Sequence, residues 1–559
     1  MKKKHRKMSD PKRFRFISIL LLSVLLACSH REDRTDVFLI PYSQVEPSGA
    51  GFLDLPVWDV ISPVSVFHAP WDGLEDSTVF RCFATDSLFC FRFDVLDGTL
   101  ALKEDFGDEM DVAPEDRVEV FFAPAGELST YVGAEMDPAG RVLDYECTYY
   151  REFNYPWNFK TLHFDCRIVP GGYSVAGCVS REELMGYDVD MDGGFRMGVF
   201  RADFRPDGSV NWYSLKETDD RKADFHQPSV FFDARICREG FFREKGIVLS
   251  VQDLGTMDWP SVALANGINT IGTHMKPAEV MEFIGSDAGK AFMAKCGELG
   301  IDVEHQLHAM AELLPRELFR EDSTMFRMDG SGRRVADFNC CPHSDKALDI
   351  IAAKAAEFAA ALPATNHRYY FWLDDNSPVC ECPECKDLSA SDQALIIENR
   401  MLEAIRKVDP KAMLAHLAYQ STIEPPTKVK PAEGIFLEFA PIERQWDRPL
   451  ADLEAPGRKG RMSHREVLRH LEDNLKVFPA ETAMVLEYWL DVSLASDWKK
   501  PAVNLPWHPE VFASDLAAYA GYGIRNVTSF AVYMDSAYFS AFPEQQCLSD
   551  YGTMLSVYR

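Results

Sequence analysis

Beyond residue 27 the chain has no apolar run long enough to cross a bilayer as a helix, which excludes a multispanning helical membrane protein. It is also short of positive charge. Residues 1–27 hold eight Lys/Arg and one Asp, so without them the 59 basic and 87 acidic residues become 51 and 86, a net charge near −35. Phosphate contacts need Lys and Arg, so nucleic acid is not expected as a partner, whereas neutral sugars are not disfavoured. Fourteen cysteines are present, but they lack the dense spacing of a small disulfide-stapled domain. With 47% hydrophobic and 12% aromatic residues, the 559-residue chain is unlike a disordered polymer and can bury several cores.

The amino terminus carries eight Lys/Arg and then an apolar run over 16–27, a signal-peptide pattern with an h-region too short to span. Its end, Leu25-Leu26-Ala27-Cys28, resembles a bacterial lipobox. That resemblance implies cleavage before Cys28, lipidation of its thiol, and a protein lipid-anchored in the outer membrane on the periplasmic or cell-surface side. Only the lipid is expected to hold it to a membrane. Polar residues over 28–50 read as a tether.

Over 51–238 short strand-like runs alternate with turns such as Asp97-Gly98, Pro170-Gly171-Gly172 and Pro206-Asp207-Gly208, which predicts an all-β sandwich. Asp116-Arg117-Val118-Glu119-Val120-Phe121-Phe122, Gly172-Tyr173-Ser174-Val175, Phe200-Arg201-Ala202-Asp203 and Phe225-His226-Gln227-Pro228 carry a resemblance to family 9-like carbohydrate-binding modules. Trp71, Trp157 and Trp212 could stack on sugar rings there, or be core. The acidic loop 104–111 could bind calcium or simply be solvated.

Over 241–559 the rhythm becomes strand, helix, strand. Apolar runs at 247–251, 267–274, 303–308, 369–375, 413–419, 435–439, 483–489 and 527–533 predict the eight strands of an α/β (β/α)8 TIM barrel. Polar groups recur where these runs stop. They are His274; Glu304, His305 and His308; Asp374 and Asp375; Tyr419; Glu438; Glu487, Tyr488 and Trp489; and Tyr533 and Asp535. Buried carboxylates are costly unless paired, so acids in four otherwise apolar strands call for an explanation. A carbohydrate pocket supplies one, because acetal hydrolysis needs a proton donor and a group that stabilises an oxocarbenium-like centre. Asp374, Asp375, Glu438 and Glu487 are therefore the candidate catalytic residues. His274, His305, His308, Trp372, Tyr419, Tyr488, Trp489, Tyr533 and Asp535 are the candidate sugar contacts.

Gly267-Ile268-Asn269-Thr270, Trp372-Leu373-Asp374-Asp375, Ser391-Asp392-Gln393, Leu417-Ala418-Tyr419, Leu437-Glu438-Phe439-Ala440-Pro441 and Leu486-Glu487-Tyr488-Trp489, with Cys380, Cys382 and Cys385, carry a second resemblance. The barrel half resembles a domain of unknown function in lipoproteins of glycan-degrading gut bacteria, whose members include glycoside hydrolase family 163, endo-β-N-acetylglucosaminidases acting on complex N-glycans. That implies cleavage next to an N-acetylhexosamine, with an oligosaccharide or glycoprotein glycan as partner. Hexosaminidase barrels, a wider analogy, end their fourth strand in Asp-Glu, where this chain has Asp-Asp. On that analogy Asp374 would orient the acetamido group, Asp375 would protonate the leaving oxygen, and Glu438 or Glu487 would position the sugar. If acids on strands four and seven act instead, Glu487 is nucleophile or base and Asp375 the acid. The alternative is a non-catalytic glycan-binding surface lipoprotein. Cys380, Cys382 and Cys385 form a C-x-C-x-x-C cluster that reads as a disulfide, part of a zinc site or a thiol-rich turn rather than as a catalytic group. No cofactor and no catalytic metal are expected.

Overall fold

The computed structural model describes residues 37–47, 51–64, 67–69, 74–76, 78–218, 220, 222–543 and 546–559. Cys28, its leader and Trp71 lie outside these residues. Among them, the amino-terminal half forms a sandwich of a ten-stranded and a four-stranded sheet. In the larger sheet Arg117–Pro124 pairs antiparallel with both Thr130–Met136 and Phe195–Phe204. Period-two patterning places Val118, Val120 and Phe122 on its inner face, against Phe89, Phe91 and Phe93 of the smaller sheet. Phe89 meets Phe122 edge to face with ring centroids 5.3 Å apart. Part of the tether expected over 28–50 is built into the larger sheet instead: Phe38–Pro41 is a strand paired parallel with Phe232–Cys237.

Trp157 and Trp212 pack rather than project. Trp157 donates its indole N–H to the Tyr187 hydroxyl, and Trp212 lies edge-on to Phe225 at 5.3 Å. In the acidic loop Asp111 is taken by Lys103 and by the Gly107 N–H at 2.6 Å.

The carboxyl-terminal half is a closed parallel barrel of eight strands. They are Glu244–Ser250, Thr270–His274, Asp302–His308, Arg368–Trp372, Met413–Ala418, Ile435–Phe439, Met484–Glu487 and Asn526–Phe530. Outward residues such as Ile247, Ile271, Phe371, Leu437 and Val485 join the core under the helices. Inward residues stack in layers. At the amino-terminal end Arg368 lies near Glu244 and Glu304, and Glu304 also accepts hydrogen bonds from Tyr370 (2.6 Å) and Asn366 (2.7 Å). Above them sit Val248, Tyr370, Phe436 and Met484. The helix Ala390–Ile405 starts at a capping box made by Ser389 and Asp392, and Asp345–Ala361 is capped by Ser344.

The two halves share one core. Leu55, Val57, Trp58, Val60 and Ile61, which follow the first sandwich strand, join the barrel's outer cluster. The closing helix Gln546–Val557 docks so tightly that a side chain at Gly552 would fall 1.6 Å from the Asn266 carbonyl oxygen.

Candidate functional site

A cavity of about 580 Å³ opens at the carboxyl ends of the barrel strands. Strand parity builds its floor: His274, His308, Trp372, Leu417, Ala440, Leu486 and Phe530 are the last inward residues of their strands or follow them directly. His308 meets Trp372 edge to face at 4.9 Å and His274 meets Phe530 edge to face at 5.2 Å, while His274 lies tilted against Trp372 at 5.9 Å. Tyr419, Tyr488 and Tyr533 continue the wall.

Both histidines are oriented through Nδ1, which lies 2.7 Å from a backbone carbonyl oxygen, that of Gln306 for His274 and of Leu373 for His308. With Nδ1 as donor, the Nε2 of His308 faces Asp375 at 3.9 Å. Burial pushes His274 down to about 4, so it is neutral at physiological pH.

Three carboxylates line the cavity: Asp253, Asp375 and Asp491. Asp375 follows the fourth strand and its side chain is 61% exposed. Asp491 follows the seventh strand and caps the short helix Val492–Ala495, its Oδ1 accepting from the Ser493 hydroxyl (2.6 Å) and the Leu494 N–H (3.1 Å). Burial raises Asp491 to about 6. Burial also raises Asp253, which accepts from the Ser250 hydroxyl at 2.6 Å and the Tyr533 N–H at 3.2 Å. The Tyr488 phenol is held protonated by burial first, then by charges that include Asp491 and Asp375. The cavity thus combines a carboxyl that holds its proton up to about pH 6 with one open to solvent, the division of labour that acid–base chemistry needs.

Among the sequence candidates, His274, His308, Trp372, Asp375, Tyr419, Tyr488 and Tyr533 line the cavity, and the others are placed elsewhere. Asp374 turns away and is held by Arg316 and by the Asn339 N–H at 2.6 Å, so it fastens a loop rather than facing the floor. Glu487 shares the outward face of its strand with Val485 and is fully buried behind the barrel wall with Arg444, Asp515 and Tyr519. Trp489 donates to Asp515 at 2.9 Å in the same layer. His305 also points outward, to the Thr273 hydroxyl at 2.8 Å. Asp535 caps the helix Ser536–Ala541 and pairs with Lys500 at 2.6 Å, so it holds a cavity residue without lining the cavity. Sequence reading missed Asp253, Asp491, Trp498 and Lys500. Trp498, 53% exposed with φ of 55°, stands on the rim, with Arg458 5.4 Å from its ring and Lys500 4.7 Å from that of Tyr533.

Glu438 faces the barrel interior beneath the floor, where its Oε2 accepts the Trp372 indole N–H at 2.7 Å. Burial holds this carboxyl well above the usual range, hence protonated. A neutral amide can replace it, so Glu438→Gln should keep turnover within about tenfold of the parent, well short of losing a catalytic acid. A larger loss in steady-state kinetics would return Glu438 to the chemistry.

The family described as "Domain of unknown function (DUF4838)" matches residues 280–479, which hold the third to sixth barrel strands and the cysteine cluster. No curated protein matches in sequence. Among solved structures, a family 9 carbohydrate-binding module from Caldicellulosiruptor kristjanssonii in complex with glucose is 11% identical, over 35% of this chain and 94% of that one, at a TM-score of 0.25. The tandem GH20 catalytic modules of the pneumococcal exo-β-D-N-acetylglucosaminidase StrH are 9% identical, over 58% and 84%, at 0.30. A cyclomaltodextrinase is 9% identical, over 88% and 84%, at 0.34. At these scores the likenesses decide nothing about chemistry.

Proposed function

We propose that the barrel is a glycoside hydrolase cleaving complex glycans beside an N-acetylhexosamine, endo-β-N-acetylglucosaminidase-like, on a protein anchored outside the cytoplasm through Cys28. One observation supports this above all: Asp491, raised to about 6, and the open Asp375 share an aromatic-floored cavity at the strand ends where barrel enzymes carry their chemistry. Asp491 protonates the leaving oxygen as the glycosidic bond breaks. Asp375, beside His308, stabilises the positive charge at the anomeric carbon or activates the water that attacks it. The edge-to-face rings below offer apolar faces to the C–H side of a sugar, and Trp498 extends that surface outward.

The test is release of glycans from complex N-glycoproteins by the full chain. Because the acid form of Asp491 is the one required, kcat/KM should fall as pH rises above about 6. A profile flat through neutral pH would remove Asp491 from the acid role. Glycan binding without any release would make the protein a capture module.

A further inference from the structure

Outside the cavity, two loops bring four buried cysteines together. Cys341 ends the long insertion after the third strand, and Cys380, Cys382 and Cys385 lie in the loop after the fourth. All four Sγ atoms lie within 4.8 Å of one another, with Cys341 3.8 Å from Cys382 and 3.9 Å from Cys385. A tetrahedron of sulfurs with zinc–sulfur bonds of about 2.3 Å has edges of about 3.8 Å. The Met328 N–H points at the Cys380 sulfur at 3.3 Å, and the Arg334 guanidinium approaches it at 3.8 Å. Such donors offset the charge of thiolates. The Gln393 side chain fixes the loop from below, accepting from the Cys380 N–H and donating to its carbonyl, both at 3.0 Å. Apart from Met328, no hydrophobic side chain among the described residues packs against this cluster, so apolar burial does not account for it.

We propose that Cys341, Cys380, Cys382 and Cys385 bind one zinc ion as a closed structural site of four thiolates, each thiol giving its proton to solvent as the metal enters. His343, with Nδ1 3.1 Å from the Cys385 sulfur, is then an outer hydrogen-bond donor rather than a ligand. The ion clips the 309–344 insertion to the loop that begins at Asp374 and Asp375. The Arg316 and Asn339 contacts to Asp374 form a second clip between the same segments. The metal is a positioning element for Asp375 and touches no substrate.

Elemental analysis of the full chain, purified under reducing conditions without chelator, should find one zinc per chain. Cys380→Ser and Cys382→Ser should lose it, and Cys237→Ser, remote from the cluster, should keep it. Exchange with cobalt should produce the intense visible absorption of a tetrahedral thiolate centre. Should the cluster variants fail to fold, the parent's metal content and cobalt spectrum still decide. A metal-free parent whose four thiols all alkylate, disulfides among them in the mass spectrum, or stoichiometric iron in place of zinc would each overturn the proposal.

Discussion

Asp491→Asn is expected to lower kcat by about a thousandfold, within the range that loss of a positioned general acid produces. Asparagine is as good a helix N-cap as aspartate, and its side-chain oxygen can still accept from Ser493 and Leu494. The variant should therefore fold as the parent does and still bind glycan. Asp375→Asn should lose a comparable factor while leaving the fold untouched, since its side chain is largely exposed. If the two act on one bond, the double variant should be little worse than either single one. Activity within tenfold of the parent in Asp491→Asn would sink the assignment. An intact Asp491 effect with a silent Asp375 would leave Asp253 as the next carboxylate to test.

The second large effect falls on stability. Arg444 is fully buried between two fully buried carboxylates, Glu487 at 3.0 Å and Asp515 at 2.6 Å. Asp515 also accepts from the Leu450 N–H and the Trp489 indole, and Glu487 from the Tyr519 hydroxyl. Burial raises Glu487 to about 7 even with the guanidinium beside it. Arg444→Ala would leave both acids without their counter-charge, at a cost of about 3–5 kcal/mol. Chemical denaturation should register that loss, while the activity of the remaining folded protein stays near the parent's, because this triad lies behind the wall. Replacing all three members with apolar residues of similar volume should recover much of the stability. A cost below about 1 kcal/mol for Arg444→Ala, typical of an exposed pair, would refute the account.

The barrel was legible because each strand is an apolar run of strand length, and the eight expected runs fall on or within a few residues of the eight observed strands. What the sequence could not settle was which face of a run looks inward. In Met484–Glu487, Met484 and Leu486 on one face and Val485 on the other are all apolar, so nothing in the pattern says that Met484 and Leu486 point into the barrel while Val485 and Glu487 point out. Closure of the barrel decides it, and with it the fate of Glu487. Asp491 was overlooked because acids were sought inside the runs. Four residues further on, Asp-Val-Ser reads as an ordinary helix cap, which it also is. The C-x-C-x-x-C spacing showed three thiols of the cluster. The fourth comes from a distant loop, and only the fold separates Cys341, in the cluster, from Cys340, which joins the barrel core.

The shared core between the segment 55–61 and the barrel helices has a mechanical consequence. A module on a slack leash can sweep for ligand and reel it toward an enzyme, whereas here the sandwich is bolted down when the chain folds. Any sugar it held would meet the cavity at one fixed bearing and one fixed range. Reach would then have to come from the branches of the glycan itself, and the spacing between sandwich surface and cavity mouth would act as a ruler, favouring chains of matching span.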